Sequence, residues 1–169
     1  MENRKEFMAS KYGSYWIKAR KKHQVDSYHK NYINFINKNI DNQSRILDVG
    51  IGTGFPFAAN FKDQGYEVYG IDISSELINE CNKNYSSIKS SVGDAENIRF
   101  KDGFFNCTYC FASTWYFPDI YKSIDEMIRV TEKGGLVCFD IQNAENEAVK
   151  NNYLKRVNDK KGINLFFHY

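Results

Sequence analysis

The sequence predicts an α/β domain: a doubly wound, mostly parallel sheet with an N-terminal helical segment and a shortened C-terminus. Short apolar runs alternate with segments of helical period through the middle of the chain. Several of those runs stop at a glycine or an acid, as buried parallel strands do at their carboxyl ends. The 169 residues suit one domain, and 42% hydrophobic with 16% aromatic residues suffices for a core.

Residues 7–40 read as helical, because Phe7, Tyr12, Tyr15, Trp16, Val25, Tyr28, Tyr32, Phe35 and Ile36 recur mainly at three- and four-residue steps. Asp41 to Ser44 is a polar break, and Ile46-Leu47-Asp48-Val49 is a short buried strand ending in glycines. Phe55 to Gln64 follows as a helix, with Pro56 tolerated in its first turn and Gly65 in the C′ position. Tyr66 to Asp72 is a second strand. Ser74 then caps a helix carrying Leu77, Ile78, Cys81 and Tyr85. Ile88 to Val92 and Phe104 to Phe111 are the third and fourth strands. Ile120 to Val130 is a helix, Gly134-Gly135 ends the connection, and Leu136 to Ile141 is the fifth strand. Glu145 to Asn158 is polar and helical in character, and Ile163 to Tyr169 is an apolar tail with strand character. The expected division is a helical cap over 1–44, a ligand-binding core over 45–141, and a C-terminal helix and tail of the same domain over 142–169.

A formal charge of +2 argues against a nucleic-acid partner, which calls for a basic excess or stripe. The one basic cluster, Lys18 to Lys22, reads as a solvated helix face, with an anionic partner as the alternative. The N-terminus lacks an apolar h-region and no apolar run approaches the ~20 residues of a membrane span, so a cytoplasmic setting without a membrane is expected. The four cysteines are scattered, as reduced thiols would be. Cys107 and Cys110 spell C-x-x-C, but inside one strand an odd spacing sends the two side chains to opposite faces. No metal site is expected: that pair cannot readily share an ion, and Asp140 at its strand end has no second clear acid beside it.

The chemistry concentrates in Asp48-Val49-Gly50-Ile51-Gly52-Thr53-Gly54. Glycines placed after a strand and before a helix let a ligand approach bare backbone at a helix N-terminus. A glycine-rich turn alone is shared by several nucleotide folds. Two acids sharpen it. Asp72 closes the second strand 18 residues after Gly54, where a carboxylate can accept from both hydroxyls of a ribose. Asp94 follows the third strand, and an acid beside a free backbone N–H, here that of Ala95, can read an adenine edge. Each acid alone could be a cap or turn former. Together, three strand ends converge on one ligand of adenosine size.

ILDVGIGTG resembles the glycine motif of class I S-adenosylmethionine-dependent methyltransferases of the small-molecule type. A dinucleotide-binding dehydrogenase would show G-x-G-x-x-G, and here the third glycine comes one residue early. The resemblance continues through VYGIDIS, GDAENIRF and IDEMIRVTEKGGLV, spanning about residues 45–141. It implies a Rossmann-like fold and S-adenosylmethionine as cofactor. It also implies that Asp48, Gly50, Gly52 and Gly54 face the methionine half, Asp72 and Ile73 the ribose, and Asp94 and Ala95 the adenine. The chain departs from the family at Asn106, Thr131 and Lys133, where Asp, Leu and Pro are usual. The family's sheet usually has seven strands, and only 28 residues follow Ile141. Either the chain is a piece of a longer one or the sheet is completed unusually, leaving an open edge through which association is expected.

The expected reaction moves a methyl group to a small molecule. A non-catalytic cofactor-binding or interaction module is the alternative, and a nicotinamide enzyme is disfavoured by the glycine spacing. Trp115 and Tyr116 after the fourth strand are candidates to stack on a substrate, and Tyr12, Tyr15 and Trp16 to form a lid or pack as core. His23 and His29 are candidate bases by residue type only, with surface placement the plainer reading. The absence of D/N-P-P-Y and of a Pro-Cys pair argues against adenine-amino and cytosine-C5 methylation.

Overall fold

The computed structural model describes residues 4–10, 12–20 and 24–141. In chain order its elements are α1 (Arg4–Ser10), α2 (Gly13–Arg20), α3 (Ser27–Asn39), β1 (Arg45–Val49), α4 (Phe57–Asp63), β2 (Glu67–Asp72), α5 (Ser75–Asn84), β3 (Lys89–Val92), β4 (Phe105–Cys110), a 3-10 turn (Thr114–Tyr116), α6 (Ile120–Val130) and β5 (Thr131–Phe139). The strands lie in the order β3-β2-β1-β4-β5, and every pair is parallel. The expected α/β class holds. The chain builds outward from β1 to β3, then returns to β4 on the other side. Strand order therefore reverses at β1, where doubly wound sheets open a ligand crevice.

Alternation along the strands splits the core in two. Ile46, Val68, Cys107 and Tyr109 face α3, α4 and α5 through Ile33, Ile36, Phe61 and Ile78. Leu47, Val49, Phe105 and Cys110 face α6 through Met127 and Val130. Cys107 and Cys110 thus lie on opposite faces. Buried rings stiffen the first layer, with Phe61, Tyr109 and Phe111 in a row at centroid separations of 5.3 and 5.2 Å.

Three boundaries differ from expectation, each for a local reason. The N-terminal stretch is three helices rather than one. Asp26 caps α3 by accepting from the His29 amide, a turn chemistry hidden under continuous aromatic periodicity. Pro56 precedes α4 rather than entering its first turn. β5 begins at Thr131, five residues early: Thr131 pairs with Phe105, and Leu136 with Cys107. The intervening residues bulge from the ladder, with Gly134 at φ +81°. At Gly135 a Cβ would stand 2.7 Å from the Asn106 carbonyl oxygen.

Two departures from the family pattern are matched by neighbours. Thr131 donates its hydroxyl to the Met127 carbonyl at 2.7 Å and hydrogen-bonds Thr108 on β4, so a buried hydroxyl pair replaces an aliphatic contact. Asn106 accepts from the Arg45 amide at 2.8 Å and donates to Glu132 at 2.7 Å. An aspartate there could not donate, and would repel Glu132. Among the described residues β5 is one of the sheet's two edge strands, with β3 at the other side. The apolar tail 163–169, of strand character in the sequence, and the helix expected before it lie outside the described residues. Among the described residues no helix is long and apolar enough to cross a membrane.

Candidate ligand cleft at the strand ends

Gly50 and Ile51 both donate to the Ile71 carbonyl, at 2.8 and 3.0 Å, which folds the glycine turn back over β2. Gly50 sits at φ +83°, and a Cβ there would meet Ser113 at 2.7 Å. Only glycine fits. Asp72 fixes the turn from below: one carboxylate oxygen accepts from the Gly52 amide and the other from the Ser74 amide, each at 2.9 Å. Its backbone carbonyl accepts from Gly93 at 3.0 Å, so one residue ties together the loops after β1, β2 and β3.

These loops wall two adjoining cavities. The first is lined by Gly50, Asp72, Ile73, Asp94, Ala95 and Lys5, among others. The second shares Met8, Gly50, Asp72, Ser113 and Tyr116 with it, and adds Gly52, Tyr12, Trp16 and Arg20. Six of the eight sequence-derived candidates therefore line one continuous cleft. Asp48 and Gly54 lie behind it. Gly54 packs against α5, where a Cβ would meet the Cys81 sulfur at 2.9 Å. Asp48 is buried beside the Tyr109 hydroxyl, which forms no hydrogen bond of good geometry among the described residues.

Burial raises both acids above the ordinary carboxylate value of 3.8, Asp48 to about 8 and Asp72 to about 6. At Asp72 the backbone donors pull the other way. The folded chain thus holds these protons to higher pH than the unfolded chain does. Their contribution to stability is full below about pH 4 and is lost as pH rises through 6 and then 8. The melting temperature is expected to fall across that window, and Asp48→Asn to flatten its upper half. Scanning calorimetry from pH 5 to 9 checks this. A variant with the wild-type slope would remove Asp48 as the cause.

The N-terminal helices cover the cleft. Lys5 bridges Asp94 and Glu96, with both contacts at 2.7 Å. The Tyr12 hydroxyl meets that of Tyr116 at 3.2 Å, their rings 5.4 Å apart. Tyr12 is 1% exposed, so its aromatic segment is core and lid together. Sequence reasoning missed Lys5, whose partners lie about 90 positions away. It also read Arg20 as part of a solvated face, whereas Arg20 turns inward.

A third cavity of about 410 Å³ lies beyond, walled by Trp16, Tyr28, Tyr32, Trp115 and Ile141, with Arg20, His29 and Asp140 at its polar points. His29 is buried rather than at the surface, since its ring packs 5.2 Å from Phe57 and its Nδ1 lies 2.6 Å from Asp26. His23 lies outside the described residues. Asp140 accepts from the Tyr28 hydroxyl and from the Ala112 amide at 3.0 Å. It thereby holds Ala112 at φ +57°, a left-handed conformation costly for a non-glycine residue.

Parallel sheet, glycine turn and paired strand-end acids define a Rossmann-like domain of the methyltransferase kind. The chain belongs to the family described as "Methyltransferase domain", matched over residues 47–139, more than half its length. It is 33% identical over 95 residues to the demethylmenaquinone methyltransferase of Chlorobaculum parvum, covering 56% of this chain and 39% of that protein. It is 25% identical over 95 residues to the malonyl-[acyl-carrier protein] O-methyltransferase of Pectobacterium atrosepticum, covering 56% and 37%. A solved S-adenosylmethionine-dependent methyltransferase from Methanosarcina mazei superposes with a TM-score of 0.62 at 26% identity, covering 72% of this chain and 64% of that one. The chain thus spans about two fifths of the length of these curated relatives.

Proposed function

We propose that this chain binds S-adenosylmethionine in the cleft and transfers its methyl group to a small-molecule acceptor. The observation that carries the reading is the convergence of the Gly50–Gly52 turn, Asp72 and Asp94 with Ala95 on one cleft at the carboxyl ends of β1, β2 and β3. The residues fit the ligand: Gly50 leaves a cradle that a Cβ would fill, and the two acids supply the acceptors that ribose hydroxyls and an adenine amino group need. Asp72 and Ile73 take the ribose, and Asp94 and Ala95 the adenine. Gly50 and Gly52 approach the methionine half, with Asp48 and Gly54 supporting the turn from behind.

When bound, the sulfonium supplies an already activated methyl group, so the chain's task is mainly to align the acceptor with it and exclude water. The 410 Å³ cavity is within the usual range for small-molecule sites, and its aromatic walls suit a largely apolar acceptor. Its named relatives act on a quinone precursor and a carrier-bound acyl group, so relatives alone do not choose the acceptor. Titration calorimetry with S-adenosylhomocysteine tests the reading. Saturable heat is expected. No heat with that ligand, alongside saturable binding of NADH, would sink it.

A further inference from the structure

The 410 Å³ cavity carries a carboxylate–imidazole pair on its wall. Asp26 caps α3, and His29 stands three residues on, in the first turn. The cap folds the imidazole back, so that Nδ1 lies 2.6 Å from Asp26 Oδ1 while the same oxygen accepts from the His29 amide at 3.2 Å. Hydrogen bonding from that amide holds Asp26 below the usual carboxylate range, so it is ionised and can only accept. Nδ1 therefore carries the ring hydrogen and Nε2 the lone pair. The rings of Phe57 and Tyr28, each centred 5.2 Å away, pack against the imidazole. The cavity shares Trp16, Arg20 and Ala112 with the second one, which Gly50 and Gly52 line, so an acceptor seated in it would adjoin the methionine half. Among the described residues, the other ionisable groups lining it are Arg20, Asp26, Tyr28, Tyr32 and Asp140. Arg20 has no lone pair to offer. Burial raises both tyrosines, and Tyr28 donates to Asp140. Both Asp140 oxygens also accept from the Ala112 amide. His29 is the lone-pair group there with an anion directly behind its ring.

We propose that His29 is the catalytic base for an acceptor bearing an aromatic hydroxyl, with Asp26 as its positioning residue. The proposal rests on the S-adenosylmethionine reading and adds to it the acceptor's reacting atom. The acceptor O–H bond breaks and its proton goes to Nε2. The oxygen's electron pair forms the bond to the methyl carbon as the methyl–sulfur bond breaks, and that bond's pair stays on sulfur, giving neutral S-adenosylhomocysteine. Asp26 holds the imidazolium until its proton passes to water. An amine attacks through a lone pair it already has, whereas a neutral hydroxyl is a weak nucleophile that an adjacent base activates. A base on this wall therefore selects oxygen. The walls of Trp16, Tyr28, Tyr32 and Trp115 select an aromatic ring to carry it.

The probe is 4-nitrophenol, whose ionisation shows in its absorbance. It is titrated into the full chain saturated with S-adenosylhomocysteine, at a pH where the free probe is mostly protonated. The wild type is expected to bind it with the phenolate band. His29→Gln should remove the band and weaken the probe roughly 10-fold, with S-adenosylhomocysteine affinity held within about twofold. Asp26→Asn keeps an oxygen to cap α3, so the fold survives, and should lose most of the band because the imidazole is no longer aligned. With S-adenosylmethionine the wild type should form 4-nitroanisole, and kcat should fall about 100-fold in His29→Gln. A band unchanged in both variants overturns the proposal. So does equal weakening of both ligands, which makes His29 a packing residue, and so does a band lost in Asp140→Asn but kept in His29→Gln. A wild type that binds S-adenosylhomocysteine but shows no phenolate band removes the acceptor assignment alone. One that binds no S-adenosylhomocysteine removes the cofactor reading, and this proposal with it.

Discussion

Asp72→Ala is expected to lose about 1.5–3 kcal/mol of affinity for S-adenosylhomocysteine, the scale of hydrogen bonds to a charged group. The structure makes the loss larger than a simple ligand contact. The same carboxylate that would take the ribose also accepts from Gly52 and Ser74, so alanine would release the glycine turn as well. Two backbone donors lose their acceptor, yet a half-buried carboxyl no longer bears the cost of desolvation. These effects oppose each other, so the stability change should be small, about 1 kcal/mol. Binding should therefore suffer more than folding. Calorimetric titration beside a thermal melt separates the two. Wild-type affinity in a folded variant would reduce Asp72 to a loop tie.

Arg129→Ala carries the largest expected stability effect, about 2–4 kcal/mol. Its guanidinium donates to the Ile98 and Phe100 carbonyls at 2.7 and 2.9 Å, to both oxygens of Glu126, and to Asp102 at 2.6 Å. Truncation would strand two carbonyls and leave half-buried Glu126, which also accepts from the Ile98 amide, without its cation. Arg129 holds Glu126 below the usual carboxylate range. Asp102 is largely exposed, so that contact adds little. Lysine should not rescue the loss, because it cannot reach both carbonyls and both carboxylate oxygens at once. Urea denaturation measures the change, and an unchanged midpoint would show that the loop over 98–102 is anchored by its aromatic packing alone.

The strand cores were legible because parallel strands buried on both faces leave short, mostly apolar runs, as at Ile46 to Val49, interrupted only by Asp48, and Phe105 to Cys110, interrupted by Asn106 and Thr108. Helix α6 was legible to the residue, since its apolar positions keep period between the cap at Asp119 and the start of β5. The cleft was legible where one segment carries the signal, as in the glycine turn and the acids that close strands. Pieces fixed by distant partners were not. Nothing near Lys5 points to Asp94, and nothing in KARKK separates inward Arg20 from exposed Lys18. The β5 boundary was hidden because the glycines that usually end a connection here sit inside a bulge.

The opposite-facing cysteines have a practical consequence. All four are free, and burial pushes every thiol above its ordinary value, Cys138 to about 11. Alkylation at neutral pH therefore waits on local opening, because the thiolate is the reactive form. Cys81, on the inner face of α5, and Cys107, on β4, are buried in the layer with α3 and α4, Cys110 is sealed under α6, and Cys138 lies half-buried on the edge strand β5. The order in which the sulfurs react is thus a native record of which layer parts first, with no probe engineered into the chain.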